Sequence, residues 1–356
     1  MKVLITGASG FVGSKFYRGF QIDGAEIFGT DIWGVASDHF VIGDLANENF
    51  LDSLFKRVKP DVVVHAAALV PLTKDLKGYR EFNVETSGKI AATSSNHGVT
   101  KFVLISSSAP YGVPSDFPIQ DSTIPTPIEE YGQSKLDAED AIRNNLHESS
   151  LLTIIRPRTI LGSGRLGIFE ILFRWIQEDL DIPFPNAAKH YLQLVHIDDL
   201  LALTEHLIKT NQPGIWPAGT PSYSRLDRDL SDIIDAVGSK TELYSVHPRL
   251  FEFTGWVLET LKLSPFSKWH YRTLNCNFAF SNDWVPSGFA YRYSNFEALL
   301  EVWESRGSSN TAHDGFSPHT KKWPTKVLDS LLRILTQLRR IARSIGLIKR
   351  DNYPHD

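Results

Sequence analysis

The chain has 356 residues, 42% apolar and 22% charged, an ordinary globular composition that excludes the disordered and fibrous classes. Its formal net charge of -4, with no zinc-ligand spacing and no nucleic-acid recognition motif, excludes a general pull toward nucleic acid and leaves small molecules as the expected partners. The single cysteine, Cys276, excludes an internal disulfide framework and suits a reducing compartment, and no metal site is expected.

Met1 to Thr6 carry an apolar run that is cut short at Gly7 and lacks a small-residue cleavage site, so it reads as a buried strand rather than a signal peptide. Nowhere do about 18 apolar residues follow one another, so no transmembrane helix is expected and a cytoplasmic location fits.

After that strand come Gly7-Ala8-Ser9-Gly10-Phe11-Val12-Gly13 and an apolar-periodic segment, in the order strand, glycine turn, helix. A dinucleotide needs this order. Gly7 permits the tight turn, Gly10 lets backbone approach a pyrophosphate, Gly13 allows close helix packing, and the helix N-terminus offers N–H groups to the anion.

A second strand, Ala25 to Thr30, ends at Asp31, about twenty residues past the glycines, where a carboxylate can accept from ribose hydroxyls and repel a 2'-phosphate. No Arg or Lys lies within Ile32 to Phe40, which points to NAD rather than NADP. A third strand, His39 to Gly43, leads to Asp44-Leu45, and Asp44 reads equally as a helix N-cap.

Asp61 to Ala68, DVVVHAAA, is a buried parallel strand whose small terminal residues let a cofactor lie against backbone. His65 in it reads as a packed histidine. Asn83-Val84 open the next helical stretch, and Lys101 to Ser107 form strand five. The alternation predicts an α/β doubly wound parallel sheet with ligands at the carboxyl ends of its strands. Strand five delivers Ser106, Ser107 and Ser108 to that edge, where a hydroxyl can hold a substrate oxygen.

Tyr131-Gly132-Gln133-Ser134-Lys135 head an amphipathic run with Leu136, Ala138, Ile142 and Leu146 at helical spacing. Tyr131 and Lys135, at i and i+4, share one face. A nearby ammonium favours a phenolate, lowering a tyrosine from its usual value of about 10 and suiting it to act as a base.

Together these stretches resemble an extended short-chain dehydrogenase/reductase of the NAD-dependent epimerase/dehydratase family. The matching motifs are GASGFVG, Asp31, GDL, HAAA, the asparagine of FNVETSG, ISSSAPYG, EEYGQSK, RPRTILG and LVHIDDL, in family order over residues 1 to about 210. The resemblance implies Tyr131 as base, Lys135 as its partner and a ribose ligand, and Ser107 as the catalytic hydroxyl, with Ser108 as a substitute or substrate contact. It implies NAD contacts at Gly7, Ser9, Gly10, Phe11, Val12, Gly13, Asp31, Asp44, Leu45, Ala66, Ala67, Asn83, Lys135 and Pro157. It also implies a homodimer formed through the helices around Tyr131.

Two departures bear on substrate: Thr159 stands where many nucleotide-sugar epimerases have Asn, and Leu192 where they have a diphosphate-binding Arg. The expected substrate contacts are therefore Ser108, Arg158, Thr159 and Arg165, with Lys189 as a further cation.

Strand six, Leu151 to Arg156, closes the cofactor half, and Asp198 and Asp199 read as caps of the helix through Ile208. The expected layout is a Rossmann domain over 1–165 and 190–217, a substrate lobe over 166–189 and 218–306, a linker over 307–324 and a basic amphipathic helix over 325–348. The lobe is rich in aromatics: Phe169, Phe173, Trp175, Phe251, Phe253 and Trp256 read as its core, with the excess suiting a greasy substrate mouth. In the last helix Leu328, Leu331, Leu335, Leu338, Ala342 and Ile345 form a stripe beside Arg333, Arg339, Arg340, Arg343 and Lys349, a pattern that suits peripheral contact with the inner face of a membrane, arginines toward anionic lipid.

The expected activity is NAD-dependent oxidation or epimerisation at a secondary hydroxyl, of a sugar on a nucleotide or lipid diphosphate. A 3β-hydroxysteroid-dehydrogenase-like reaction on a hydrophobic alcohol, and a non-catalytic NAD-sensing scaffold, are the alternatives.

Overall fold

The structure, a computed structural model, describes residues 1–70, 78–163, 169–261, 272–305, 326–345 and 347. Arg165 and the expected linker lie outside the described residues. The chain divides into two compact units, the first comprising Met1–Arg165, Gln193–Ser222 and Ala279–Thr320.

The first unit holds a seven-stranded sheet: β1 (Lys2–Thr6), β2 (Glu26–Asp31), β3 (Phe40–Ile42), β4 (Val62–His65), β5 (Lys101–Ile105), β6 (Leu151–Pro157) and β7 (Gly214–Ala218). The strand order is β7-β6-β5-β4-β1-β2-β3, and every neighbouring pair is parallel. Chain direction across the sheet reverses between β1 and β4, the switch point at which such sheets bind ligands.

Alternate residues of each strand face opposite sides, and both sides are apolar. Val3, Ile5, Val62, Val64, Val103 and Ile155 pack with Phe16 of α1 (Phe11–Gly19) and with Leu200, Leu203 and Leu207 of a later helix, while Leu4, Val63, Phe102, Leu104 and Ile154 pack with Leu51, Leu54 and Phe55 of α2 (Glu48–Val58). Ile90 of α3 (Ser87–Asn96) and Ile142 of α4 (Glu130–Asn145) complete the second face. Continuous apolar runs, rather than alternation, follow from burial on both sides.

Several details differ from the sequence reading. The N-cap of α2 is Asn47, whose side chain accepts from Phe50 N, so Asp44 is not that cap; it instead accepts from Ala46 N at 2.9 Å. The cap of α5 (Ile197–Thr210) is His196, with Nδ1 accepting from Asp198 N. Asp198 pairs with Lys15, and buried Asp199 accepts from the backbone N–H groups of Arg292 and Tyr293. Those bonds help explain why residues 279–305, expected in the substrate lobe, return to the first unit with α6 (Asn295–Ser305).

The second unit comprises Leu166–Leu192, Tyr223–Phe278 and Lys321–Asp356. Its short parallel ribbon pairs Ile182–Pro185 with Leu243–Val246. Phe169, Phe173 and Trp175 of the helix Phe169–Gln177 are buried as core, whereas Phe253 and Trp256 of the helix Pro248–Thr260 are exposed. In the helix Lys326–Ser344, Leu332 and Thr336 are buried and the arginines face acids of their own unit. Asp329 pairs with Arg174, Arg333 with Glu178, Arg339 and Arg340 with Asp181, and Arg343 with Glu242. The expectation of arginines turned toward lipid is thus corrected for Arg339 and Arg343, which buried Asp181 and half-buried Glu242 hold inward, while Arg333 and Arg340 stay about half exposed. No described helix is long and apolar enough to cross a membrane.

Candidate active site

At the end of β1 the chain turns at Gly7 in a left-handed conformation (φ 68°), and Gly10 N donates back to Gly7 O at 2.9 Å. A Cβ on Gly13 would lie 2.0 Å from Gly7 O, and one on Gly7 would lie 2.7 Å from Ala67 Cα. Only hydrogen fits at either place. The result is a bare backbone cradle between the end of HAAA and α1, whose N-terminus has no capping side chain and no acid in its first turn. Such an end favours a pyrophosphate.

Asp31 closes the loop's far side. Its two carboxylate oxygens accept from Ser9 N (3.0 Å) and Ile32 N (2.7 Å). Partial burial pushes its pKa above the ordinary value, against the lowering pull of the N–H groups of Ser9, Ile32 and Trp33. The carboxylate keeps lone-pair capacity for a ribose hydroxyl. Cradle and carboxylate fit NAD. Phe11, Val12 and Ala66 line the same turn and strand end, half-buried, while Leu45 is buried and Asp44 exposed.

Below the cradle, buried His65 links three elements. Its Nδ1 lies 2.7 Å from Thr6 Oγ1 and its Nε2 2.9 Å from Ser87 Oγ. Because Ser87 donates to Asn83 O, the ring donates from Nε2 and accepts at Nδ1. Burial, aided by the charge of Lys135, drops its pKa to about 3, so the imidazole stays neutral. His65 is a packed residue, not a base.

Asn83 sits in a π-helix, Tyr79–Thr86, whose wide turn buries Tyr79, Asn83 and Thr86 together. Its Oδ1 accepts from Leu69 N, and its Nδ2 donates to Leu69 O and to Ser134 Oγ. The amide, expected to touch NAD, fastens the loop after β4 to the first turn of α4. Ser134 in turn donates to Tyr131 O.

Tyr131 and Lys135 lie one turn apart in α4, Tyr131 half-buried with its ring edge-on to Tyr79 at 5.9 Å between centroids. Lys135 is 2% exposed and donates from Nζ to Ile105 O, the end of β5, at 2.9 Å. Burial lowers its pKa to about 8, although the charge of Glu139 opposes the shift. The helix reaches the serine turn because residue 132 is glycine: a Cβ there would stand 2.7 Å from Ala109 O.

The three serines have three different roles. Ser106 donates to Glu139 at 2.6 Å, and Ser108 accepts from Arg158 Nη1 at 3.2 Å; both are buried. Ser107 is half-buried and accepts from Ala109 N at 3.1 Å, which leaves its hydroxyl hydrogen to be donated elsewhere. Ser107 is the serine whose side chain suits a substrate oxygen.

Glu139 was not singled out by sequence. It is fully buried, receiving Arg156 Nε at 3.0 Å and Nη2 at 2.6 Å, while Arg156 Nη1 donates to Tyr111 OH at 2.7 Å. This clamp joins α4, one turn past Lys135, to the ends of β5 and β6 beside Ser107 and Pro157. The signal was its i+4 spacing from Lys135. Arg158, 3% exposed, donates from Nε to Gln193 O as well as to Ser108, and these bonds support the serine turn. Thr159 lies half-buried in a short pairing with Leu194, Leu192 falls in the second unit, and Lys189 there is exposed. Among the described residues no cluster of side chains could hold a metal ion.

A carboxylate-lined dinucleotide cradle, a buried lysine one turn from a tyrosine and a serine turn on one sheet edge are the parts of a hydroxyl-oxidising site. The sequence model of the NAD dependent epimerase/dehydratase family matches residues 3–219. The uncharacterized protein y4nG of Sinorhizobium fredii is 28% identical over 347 residues, covering 95% of this chain and 86% of that protein. A UDP-glucose 4-epimerase of Lactobacillus helveticus is 27% identical over 272 residues, covering 64% of this chain and 79% of that enzyme. The crystal structure of the Bordetella bronchiseptica enzyme WbmG in complex with NAD and UDP matches with a TM-score of 0.68 at 17% identity, over 86% of this chain and 94% of that one. The likeness to WbmG is one of fold, while the family match spans the glycine cradle, Tyr131 and Lys135 alike: the chain belongs to the NAD dependent epimerase/dehydratase family and is an NAD-dependent enzyme of the extended short-chain dehydrogenase/reductase type.

Proposed function

We propose that the chain epimerises a secondary carbon of a sugar carried on a diphosphate, whether nucleotide-linked or lipid-linked. The observation that carries this reading is buried Lys135, fixed to the end of β5 one turn from Tyr131, on the sheet edge that also bears the glycine cradle. Relatives named as UDP-glucose 4-epimerases support the substrate class.

Gly7, Ser9, Gly10, Phe11, Val12, Gly13 and Asp31 would hold NAD, which when bound accepts a hydride from the carbinol carbon and returns it. Tyr131 takes the hydroxyl proton as the ketone forms and gives it back on reduction. Ser107 holds the same oxygen by its hydroxyl, and Lys135 supplies positive charge beside the phenol and a donor toward the ribose. A homodimer and a cytoplasmic setting belong to the same reading. Among the described residues the helices beside Tyr131, α3 and α4, carry no exposed large apolar side chain, so such a dimer face would be polar.

Freshly purified protein is expected to carry about one NAD per chain, measured after denaturation, and to convert UDP-glucose, UDP-N-acetylglucosamine or a polyprenyl-diphosphate sugar to a mixture of epimers. Three observations favour a second reading, a hydrophobic-alcohol dehydrogenase: Arg158 bonds inward, Thr159 stands in place of Asn, and Leu192 in place of a diphosphate-binding Arg. An empty cofactor site, with stoichiometric release of NADH on adding a hydrophobic secondary alcohol, would select it.

A further inference from the structure

The helix Lys326–Ser344 has its faces reversed from those of an ordinary surface helix, which hides its apolar stripe and wets its charges. Positions 329, 332, 336, 339 and 343 point inward. There Asp329 receives Arg174 Nη2 at 3.0 Å and Trp175 Nε1 at 2.8 Å, Thr336 Oγ1 accepts from Asp181 N at 2.9 Å, Arg339 lies over the Tyr244 ring and beside Asp181, and Arg343 pairs with Glu242. These contacts fix the helix's rotation at both ends. Arg339 and Arg343 are neutralised inside their own unit, not at its surface.

Positions 331, 334, 338, 341 and 345 follow the same spacing on the opposite side. Leu331, Ile334, Leu335, Leu338, Ile341 and Ile345 are each between 45% and 64% exposed, a stripe about 20 Å long at 1.5 Å per residue. Asp329 is the one acid among Lys326–Ser344 and is turned inward, so the outward face is free of negative charge. Its flanks are Arg333 and Arg340, about half exposed, and the sequence continues to Lys349 and Arg350. The helix Pro248–Thr260 of the same unit also leaves Leu250, Phe253 and Trp256 exposed, and tryptophan is enriched at lipid–water boundaries.

We infer that the helix Lys326–Ser344 lies in the surface of an anionic lipid bilayer, with the Leu331–Ile345 stripe among the acyl chains and Arg333 and Arg340 at headgroup level. The charge pattern selects this occupant over a second copy of the chain. Two-fold pairing of the face would set Arg333 and Arg340 against basic side chains of the other copy, while the acids beside them, Glu178 and Asp181, are already engaged within each chain. The reading is independent of which sugar or alcohol the enzyme turns over.

The test is flotation of the full chain with vesicles of phosphatidylethanolamine and phosphatidylglycerol, beside vesicles of phosphatidylcholine alone. Wild type is expected to float with the anionic vesicles, and Leu338→Glu combined with Ile341→Glu to lower the floated fraction at least tenfold. Both side chains are exposed, so the unfolding midpoint and NAD content should not change; Leu338→Glu alone is the second variant should that pair disturb folding. Equal flotation of wild type and variants overturns the inference. So does absence of flotation with a change from dimer to monomer in the variant, which would make the stripe a subunit interface.

Discussion

Replacing Lys135 by Met is expected to lower turnover at least a hundredfold while raising the stability of NAD-free protein at neutral pH. The amine is buried and its folded-state pKa is about 8, below the ordinary 10.5. Between those values the unfolded chain binds the extra proton, so wild-type stability rises as pH climbs from about 8 toward 10, and below about 8 the buried ammonium is a full burden. A shift of this size corresponds to about 3 kcal/mol. Losing the bond to Ile105 O returns about 1–2 kcal/mol of that, so the net gain is roughly 1–2 kcal/mol. Thermal unfolding at a series of pH values checks the sign: the gap between variant and wild type should narrow as pH rises. A variant less stable than wild type at every pH would show that the lysine is there for structure alone.

Arg156→Met is expected to cost about 3–5 kcal/mol of stability, because it leaves the carboxylate of Glu139 buried with Ser106 as its remaining close donor. The unfolding midpoint should fall on the order of 10 °C. A half-exposed Arg143, 3.5 Å from Glu139, softens the loss without replacing the two-pronged pair. Combining Arg156→Met with Glu139→Leu should recover at least half of it, since no charge is then stranded. Because the clamp ties the turn after Lys135 to the strand ends beside Ser107 and Pro157, the double variant should be stable yet slow. Additive losses in the two single variants would mean that the groups act separately.

What sequence could and could not reveal follows from the range of each interaction. The glycine cradle, Asp31 and the Tyr131–Lys135 pair are local patterns, so their spacing alone predicted where they sit. The Glu139–Arg156–Tyr111 clamp joins residues 17 and 45 apart, and on a helix wheel Glu139 is indistinguishable from a solvated charge. β7 was missed because Pro217 breaks an otherwise short apolar run, yet the strand lies at the sheet's edge, where a missing N–H is tolerated. His196 outcompeted Asp198 and Asp199 as a helix cap because Asp199 was drawn to the returning backbone at Arg292 and Tyr293. The partners of Asn83 were not legible: the π-helix turns its amide to Leu69 and Ser134. In the last helix periodicity displayed two faces. Which one turned inward depended on Asp181 and Glu242, far away in sequence.

The most direct test of the whole account is turnover of a sugar deuterated at the epimerised carbon by wild type and by Tyr131→Phe, followed by mass spectrometry of the product. Wild type is predicted to invert the carbon with its deuterium retained, and Tyr131→Phe to slow that inversion by about 10²–10⁴ with NAD content unchanged. Inversion with deuterium washed out into water, or undiminished inversion once the phenolic oxygen is gone, would contradict it.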